Sequence, residues 1–254
     1  QIVVSNGAKQ CIANLCLALL DKDDEALILA PYWVSYSEIV KIAEGTPVLV
    51  KAGIEDDYKV TAEQVEAGIT ENTKMLIFSS PFNPTGSVYT KEELQGIADV
   101  IAKYPNITIV SDEIYEYINF VGHHTSIGIF ENVKDRTVTV NGFAKGFAMT
   151  GWRLGYMGAP QAVANACEKI QGQFTSGANA FGQKAAADAL LADMTPTYEM
   201  REEFLRRRDI MIALLKDIPG FKVNKPTGAF YIFPDISAFF GKKAGDRVIA
   251  NSDD

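Results

Sequence analysis

Apolar positions along this chain follow two alternating periods. Short runs of β-branched and aliphatic residues occupy Ile2–Ser5, Ala26–Ala30, Pro47–Lys51, Met75–Ser79, Ile107–Ser111, Thr137–Val140 and Leu154–Met157, and each predicts a strand. Between them the period lengthens. In Ala8–Leu20 the residues Cys11, Ile12, Leu15, Cys16 and Leu19 recur on one helical stripe, while Gln161–Gln173 and Ala178–Leu191 predict two more helices. Thr61 with Gln64, and Thr90 with Glu93, have the spacing of capping boxes and date two further helix starts. Strands that alternate with helices require crossover connections. The predicted class is therefore α/β, a mainly parallel seven-stranded sheet covered by helices on both faces.

The texture changes after Asp193. Thr195-Pro196 opens a long charged helix, Tyr198 to Lys216, which Pro219-Gly220 stops. Phe221 to Phe233 then alternates like a strand around a Pro-Thr-Gly turn. The expected division is a large domain over 1–195, followed over 196–254 by a linking helix and the start of a smaller α+β domain. Gln1 leads straight into an apolar run, and Ser252-Asp253-Asp254 would cap a helix with nothing after it to cap. Both ends are expected to be cut.

Composition narrows the function classes. Of 254 residues, 47% are hydrophobic and 22% charged, as in ordinary folded domains. No apolar run approaches the ~20 residues that cross a bilayer, and no basic-then-apolar leader opens the chain, so a cytoplasmic protein without a membrane partner is expected. Lys and Arg number 24 against 32 Asp and Glu, a net charge of −8, which disfavours a nucleic-acid partner. Cys11, Cys16 and Cys167 have no metal-ligand spacing and read as reduced, mostly buried thiols. His123-His124, in a polar loop without Cys or carboxylate at ligand spacing, is expected to be a solvent-facing pair rather than a metal site.

In an open parallel sheet, ligands bind beyond the carboxyl ends of the strands. The segments just beyond five of the predicted strands are Asn6-Gly7-Ala8-Lys9, Pro31-Tyr32-Trp33, Pro81-Phe82-Asn83-Pro84-Thr85-Gly86, Asp112-Glu113-Ile114-Tyr115 and Asn141-Gly142-Phe143-Ala144-Lys145. Gly7 between strand and helix suits a phosphate, although an ordinary βα turn explains it as well. Neither a Walker lysine pattern nor G-x-G-x-x-G is present, which disfavours nucleotides. Asn83 to Gly86 fits a plain β-turn. Asp112, at the end of an apolar strand, needs a cationic or N–H partner to stay ionised, and a helix cap or structural ion pair would satisfy it too. Tyr115 reads equally as a core aromatic with its hydroxyl at the rim. Lys145 is the most informative position: among Phe143, Ala144, Phe147 and Met149 its amine loses hydration and becomes a nucleophile able to form a Schiff base, against the commoner fate of a snorkelling surface lysine. With Arg153, Asp112, the Gly7 loop and a stacking Trp33, this set calls for a flat, anionic, phosphorylated aldehyde. Pyridoxal phosphate has that shape and charge.

The run Asn141-Gly142-Phe143-Ala144-Lys145-Gly146-Phe147-Ala148-Met149-Thr150-Gly151-Trp152-Arg153-Leu154-Gly155-Tyr156 is similar almost throughout to the lysine motif of the class I aminotransferases. Pro31-Tyr32-Trp33-Val34-Ser35-Tyr36, Asn83-Pro84-Thr85-Gly86 and Ser111-Asp112-Glu113-Ile114-Tyr115 stand in that family's order. Over Gln1 to Phe233 the chain resembles this family, of the aspartate aminotransferase fold (fold type I), and within it the bacterial aspartate/prephenate branch.

The resemblance implies pyridoxal 5'-phosphate as cofactor, amino-acid and 2-oxo-acid substrates, and a homodimer in which Gln171–Ser176 faces the partner subunit. It implies that Lys145 carries the cofactor's aldehyde carbon and then moves the substrate Cα proton. Asp112 would keep the pyridine nitrogen protonated, Asn83 and Tyr115 would bond the phenolic oxygen, and Trp33 would stack on the ring. Arg153 and the backbone at Gly7 and Ala8 would hold the phosphate, and Lys9 would reach a substrate's side-chain carboxylate. Two departures stand out. Many members have a serine where this chain has Gly142, so backbone donors or Asn141 must substitute. The arginine that binds the substrate α-carboxylate would lie past residue 254, and Arg247, in its Gly-Asp-Arg-Val-Ile setting, does not match it. A chain that binds the cofactor and transaminates poorly is expected.

The leading expectation is exchange of the amino group of L-aspartate with 2-oxoglutarate. A prephenate or aromatic aminotransferase, a β-lyase or a decarboxylase would share the same cofactor machinery. A non-catalytic effector domain of a transcription regulator is disfavoured by the net charge of −8. A dinucleotide enzyme fails for want of a glycine fingerprint with its acidic partner.

Overall fold

The computed structural model describes residues 1–253; Asp254, the last residue of the expected terminal cap, lies outside the described residues. The first part of the chain alternates β1 (Ile2–Ser5), α1 (Ala8–Leu19), β2 (Glu25–Ala30), α2 (Ser35–Ile42), β3 (Thr46–Lys51), α3 (Ala62–Gly68), β4 (Thr73–Ser79) and α4 (Lys91–Ala102). It continues through β5 (Thr108–Asp112), β6 (Thr137–Gly142), β7 (Gly155–Gly158), α5 (Gln161–Phe174), α6 (Ala180–Leu191) and α7 (Thr195–Lys216). Seven strands form one sheet in the order β1-β7-β6-β5-β4-β2-β3. Strands β2 to β6 run parallel, whereas β7 is antiparallel to both its neighbours, β6 and β1. The carboxyl ends of β1, β2, β4, β5 and β6 and the residues that lead into β7 thus meet at one edge of the sheet.

The central strands read as near-continuous apolar runs because both faces are covered. Ala26 and Ile28 of β2 pack with Ile12, Leu15, Tyr36, Val40 and Cys167 on one side. Leu27 and Leu29, the alternate residues, pack with Val65, Leu94, Ile97 and Ile101 on the other. Both capping boxes form: Thr61 accepts from the Gln64 N–H and Thr90 from the Glu93 N–H, each with the reciprocal bond. Cys11, Cys16 and Cys167 are free and buried, and burial pushes the thiols of Cys11 and Cys16 up to about 12.

Three expectations change. Phe221–Phe233 is not a strand. No ladder lies alongside it; its backbone instead bonds to loops, with Thr227 and Gly228 donating to the Gly86 carbonyl at 2.8 Å and Ala229 to that of Ile118 at 2.7 Å. Among the described residues only the isolated bridges Asn119–Gly228 and Lys222–Asp235 touch this segment or flank it. Ser252 and Asp253 lie in a turn and not at a helix cap. Gln171, in the segment expected to face a partner subunit, is instead a buried residue of α5 whose amide bonds Ser5, Asn14 and the Val4 carbonyl. Arg247 lies on an exposed two-stranded hairpin, β8 (Lys243–Ala244) with β9 (Arg247–Val248). No described helix is long and apolar enough to cross a membrane.

Candidate functional site

At the carboxyl edge of the sheet lies a cavity of about 190 Å³, lined by Gly7, Ala8, Lys9, Trp33, Asn83, Asp112, Tyr115, Lys145 and Arg153. All nine residues singled out from the sequence face the same space.

One corner is built for an anion. Gly7, two residues past β1, has φ +86° and stands at the N-cap of α1, where no side chain caps the helix. The Gly7 N–H is taken by the Ser5 carbonyl at 2.8 Å, so the first-turn amides of Ala8 and Lys9 are the ones left to meet a ligand. Arg153, itself left-handed at φ 53°, directs Nη1 to the Thr150 carbonyl at 2.9 Å. A Cβ on Gly7 would overlap Arg153 Nη2, so only glycine lets the guanidinium approach the helix end. The geometry also explains the missing serine. A Cβ on Gly142 would stand 2.8 Å from both the Gly155 Cα and the Leu154 carbonyl oxygen, which leaves no room for a side chain. Asn141 does not replace it, because it does not line the cavity and its amide donates toward Glu116 instead.

The opposite corner is acidic. Asp112 closes β5, fully buried, with Oδ2 accepting from the Tyr36 hydroxyl at 2.6 Å and Oδ1 from the Ile114 N–H at 3.2 Å. Burial pushes its carboxyl from 3.8 up to about 6, and the two hydrogen bonds and the Lys145 charge only partly oppose that shift. Burial and the neighbouring Asp112 carboxylate hold the Tyr36 phenol well above its ordinary value, so Tyr36 remains a donor. A cation brought beside Asp112 would return the carboxyl to its ionised form.

Between the corners stands Lys145, three residues past β6. Burial lowers the pKa of its amine, the Arg153 charge lowers it further, and Asp112 pulls the other way. Nζ lies 5.4 Å from the Phe230 ring centroid and 5.8 Å from that of Tyr115. Trp33 packs edge-on against Tyr36 with centroids 5.5 Å apart, and Lys9 Nζ lies 4.8 Å from the Trp33 ring. The Tyr115 hydroxyl meets that of Tyr231 at 2.5 Å, and Asn83 Nδ2 reaches the same Tyr231 hydroxyl at 3.4 Å. The turn carrying Asn83 is wider than a plain four-residue β-turn, since the Gly86 N–H donates to Phe82 at 3.1 Å.

Sequence reasoning missed Tyr36 and Tyr231. Tyr36 could have been found: it lies one helical turn beyond Trp33, had α2 been recognised behind the aromatic run. Tyr231 carried no signal, because its segment makes no regular structure. The histidine pair also divides. His123 is exposed, but His124 is only 12% exposed and its Nε2 bonds Glu113 Oε2 at 2.8 Å, a partner eleven residues back that local spacing does not disclose.

The donor set suits one flat molecule with an anionic group at α1 and Arg153, an electron-poor ring beside Trp33, a cationic ring atom at Asp112 and an electrophilic carbon at Lys145. Comparison with known proteins points the same way. The family "Aminotransferase class I and II" matches residues 1–249. A Petunia hybrida bifunctional aspartate aminotransferase and glutamate/aspartate-prephenate aminotransferase is 46% identical over all of this chain and 54% of its own length. The crystal structure of an aspartate aminotransferase from Rhizobium meliloti superposes with a TM-score of 0.92 at 38% identity, over 94% of this chain and 60% of that one. An aromatic aminotransferase from Pyrococcus horikoshii gives a TM-score of 0.90 at 39% identity, over 93% and 64%. The chain spans between about half and two-thirds of the length of the relatives it matches.

Proposed function

This chain belongs to the class I and II aminotransferases, and from that premise we propose that it binds pyridoxal 5'-phosphate and exchanges the amino group of L-aspartate with 2-oxoglutarate. The observation that carries the reading is the convergence of Lys145, Asp112 and the Gly7–Arg153 corner on one cavity. The glycine-shaped space beside Arg153 fits a phosphate, and the buried Asp112 fits a protonated ring nitrogen.

The chain's own residues divide the work. Arg153 and the amides of Ala8 and Lys9 bind the phosphate through charge-assisted hydrogen bonds at a helix N-terminus. Trp33 would stack on the ring. Asp112, held by Tyr36 and Ile114, would stabilise positive charge on the ring nitrogen. Tyr115 and Asn83 would bond the phenolic oxygen. When bound, the cofactor supplies an electron sink for charge that develops at the substrate Cα. Lys145, its proton affinity lowered by burial and Arg153, is the amine that would hold the cofactor and would carry the proton of the substrate Cα. Lys9, beside Trp33, is the cation placed to meet a substrate's side-chain carboxylate.

The reading also includes a large domain over 1–195 with 196–254 leading into a smaller one, a homodimer, and a cytoplasmic location, the last supported by three buried free thiols. Similarity to bifunctional prephenate and to aromatic aminotransferases supports a second reading, in which the amino acceptor or donor is aromatic.

Absorbance titration with pyridoxal phosphate tests the proposal. A visible or near-ultraviolet band that is lost in Lys145→Ala, with borohydride fixing the label on the peptide that contains Lys145, is the expected result. A band that survives Lys145→Ala would refute it. Half-reaction spectra with aspartate, glutamate and phenylalanine in turn would identify the donor.

A further inference from the structure

Tyr231 reaches the cavity, with Phe230 beside Lys145, from a segment that belongs to no sheet, yet that segment is fixed on both sides. Thr227 and Gly228 donate to the Gly86 carbonyl, the Ala229 N–H donates to Ile118 at 2.7 Å, and Phe120 donates to the Thr227 carbonyl at 2.9 Å. Gly228 lies so close to Pro81 that a Cβ would approach its side chain to 2.7 Å. Tyr231 is therefore delivered between the Asn83 turn and the Tyr115 loop by a tightly packed strap.

The protons around Tyr231 can be counted. Asn83 Nδ2 is a donor only, so at 3.4 Å the Tyr231 oxygen must accept from it. Either hydroxyl can donate across the 2.5 Å contact with Tyr115, whose oxygen the Asn83 amide also approaches; a phenol has one proton to give, and the arrangement that leaves the Tyr115 proton for the cavity is the one in which Tyr231 donates to Tyr115. Once Tyr115 accepts that proton, its own hydroxyl proton is free to point elsewhere, and its ring lines the cavity beside Lys145. We propose that Tyr231 is a positioning residue that fixes the Tyr115 hydroxyl as a donor into the cavity, toward an anionic oxygen of the bound ring. The chain Asn83–Tyr231–Tyr115 thereby sets how strongly the site stabilises a phenolate, and through it the proton affinity of the nitrogen contributed by Lys145. This inference rests on the cavity being a pyridoxal phosphate site.

The test is a pH titration of the absorbance of the full chain saturated with pyridoxal phosphate, in wild type, Tyr231→Phe, Tyr115→Phe and the double variant. With Tyr231 removed, the Tyr115 proton is no longer directed, the phenolate is less stabilised, and the spectral midpoint should rise by about half a unit or more. Cofactor affinity should change less than about threefold, since the phosphate corner is untouched. Because Tyr231 acts through Tyr115, the double variant should titrate like Tyr115→Phe alone. A purely structural Tyr231 would alter affinity or thermal stability and leave the midpoint in place. An unmoved midpoint in Tyr231→Phe, additive shifts in the double variant, or loss of the folded circular-dichroism spectrum in Tyr231→Phe would each overturn the proposal while a band that depends on Lys145 preserves the cofactor reading. Absence of any such band in wild type would remove both.

Discussion

Asp112 shows what a single carboxyl contributes at this sheet edge. In the folded chain burial holds its pKa at about 6, whereas the unfolded chain titrates it near 3.8. Between those values the native state keeps a proton that the unfolded state has shed, so stability falls as pH rises through the window, by about 3 kcal/mol in all. Asp112→Asn has no such titration, although it forfeits one of the two accepted hydrogen bonds at every pH. Denaturant unfolding of the cofactor-free variant relative to wild type should therefore shift in the variant's favour by about 2–3 kcal/mol from pH 4 to pH 8. The same substitution should weaken cofactor binding. A structural aspartate would behave oppositely on both counts, and a pH-independent difference between the two chains would exclude the buried, cation-seeking carboxyl described here. Lys145 and Asp112 were legible from sequence because each combines a charged type with an apolar setting at or just past a strand end, and Arg153 because it is a second cation eight residues beyond Lys145. Tyr231 was not, since its segment makes no regular structure, and Tyr36 was legible only through its helical spacing to Trp33, since an aromatic in an apolar run otherwise looks like core until a neighbour gives its hydroxyl a partner.

Elements were legible where one period or one cap decided them. The seven strands and the boxes at Thr61 and Thr90 follow from alternation and from paired side-chain bonds that are local in sequence. Phe221–Phe233 alternates just as well, but alternation identifies a strand only where another strand is present to pair with it. The same limit explains the two glycines of the β1–α1 and β6–β7 junctions, whose roles depend on elements distant in sequence. Gly7→Ala should lower affinity for pyridoxal phosphate by about tenfold, through displacement of Arg153, and should cost about 1–2 kcal/mol of stability from the positive φ. Calorimetric titration with inorganic phosphate isolates the first effect; unchanged affinity would move the anion away from the α1–Arg153 corner. Gly142→Ser, which restores the residue many relatives have, should cost about 1–3 kcal/mol by overpacking β6 against β7 and should bring no gain in cofactor affinity. A variant that is as stable as wild type and binds more tightly would show that the strands can part to admit the side chain.

At the scale of the whole molecule, two features oppose each other. Helix α6 buries only Gly182 and Ala186, and exposes Phe181 at 79% and Leu191 at 88%, with Phe174 at the end of α5 exposed at 71%. Apolar surface of that size favours association, and the proposed dimer gives it an occupant in a second copy of the chain. The net charge of −8 acts against this, because two copies brought together repel. Salt screens the repulsion within a Debye length of about 10 Å at 0.1 M and leaves apolar burial intact. Sedimentation equilibrium should therefore show the dimer tightening as ionic strength rises from about 0.01 to about 0.5 M, the reverse of an interface held by ion pairs. Leu191→Asp with Phe181→Asp should shift the equilibrium toward monomer at every salt concentration, with the absorbance of bound cofactor retained, because neither residue lines the cavity. Association that weakens with salt, or that is indifferent to both substitutions, would assign the contact to another face and leave α6 as a surface that some other part of the assembly must cover.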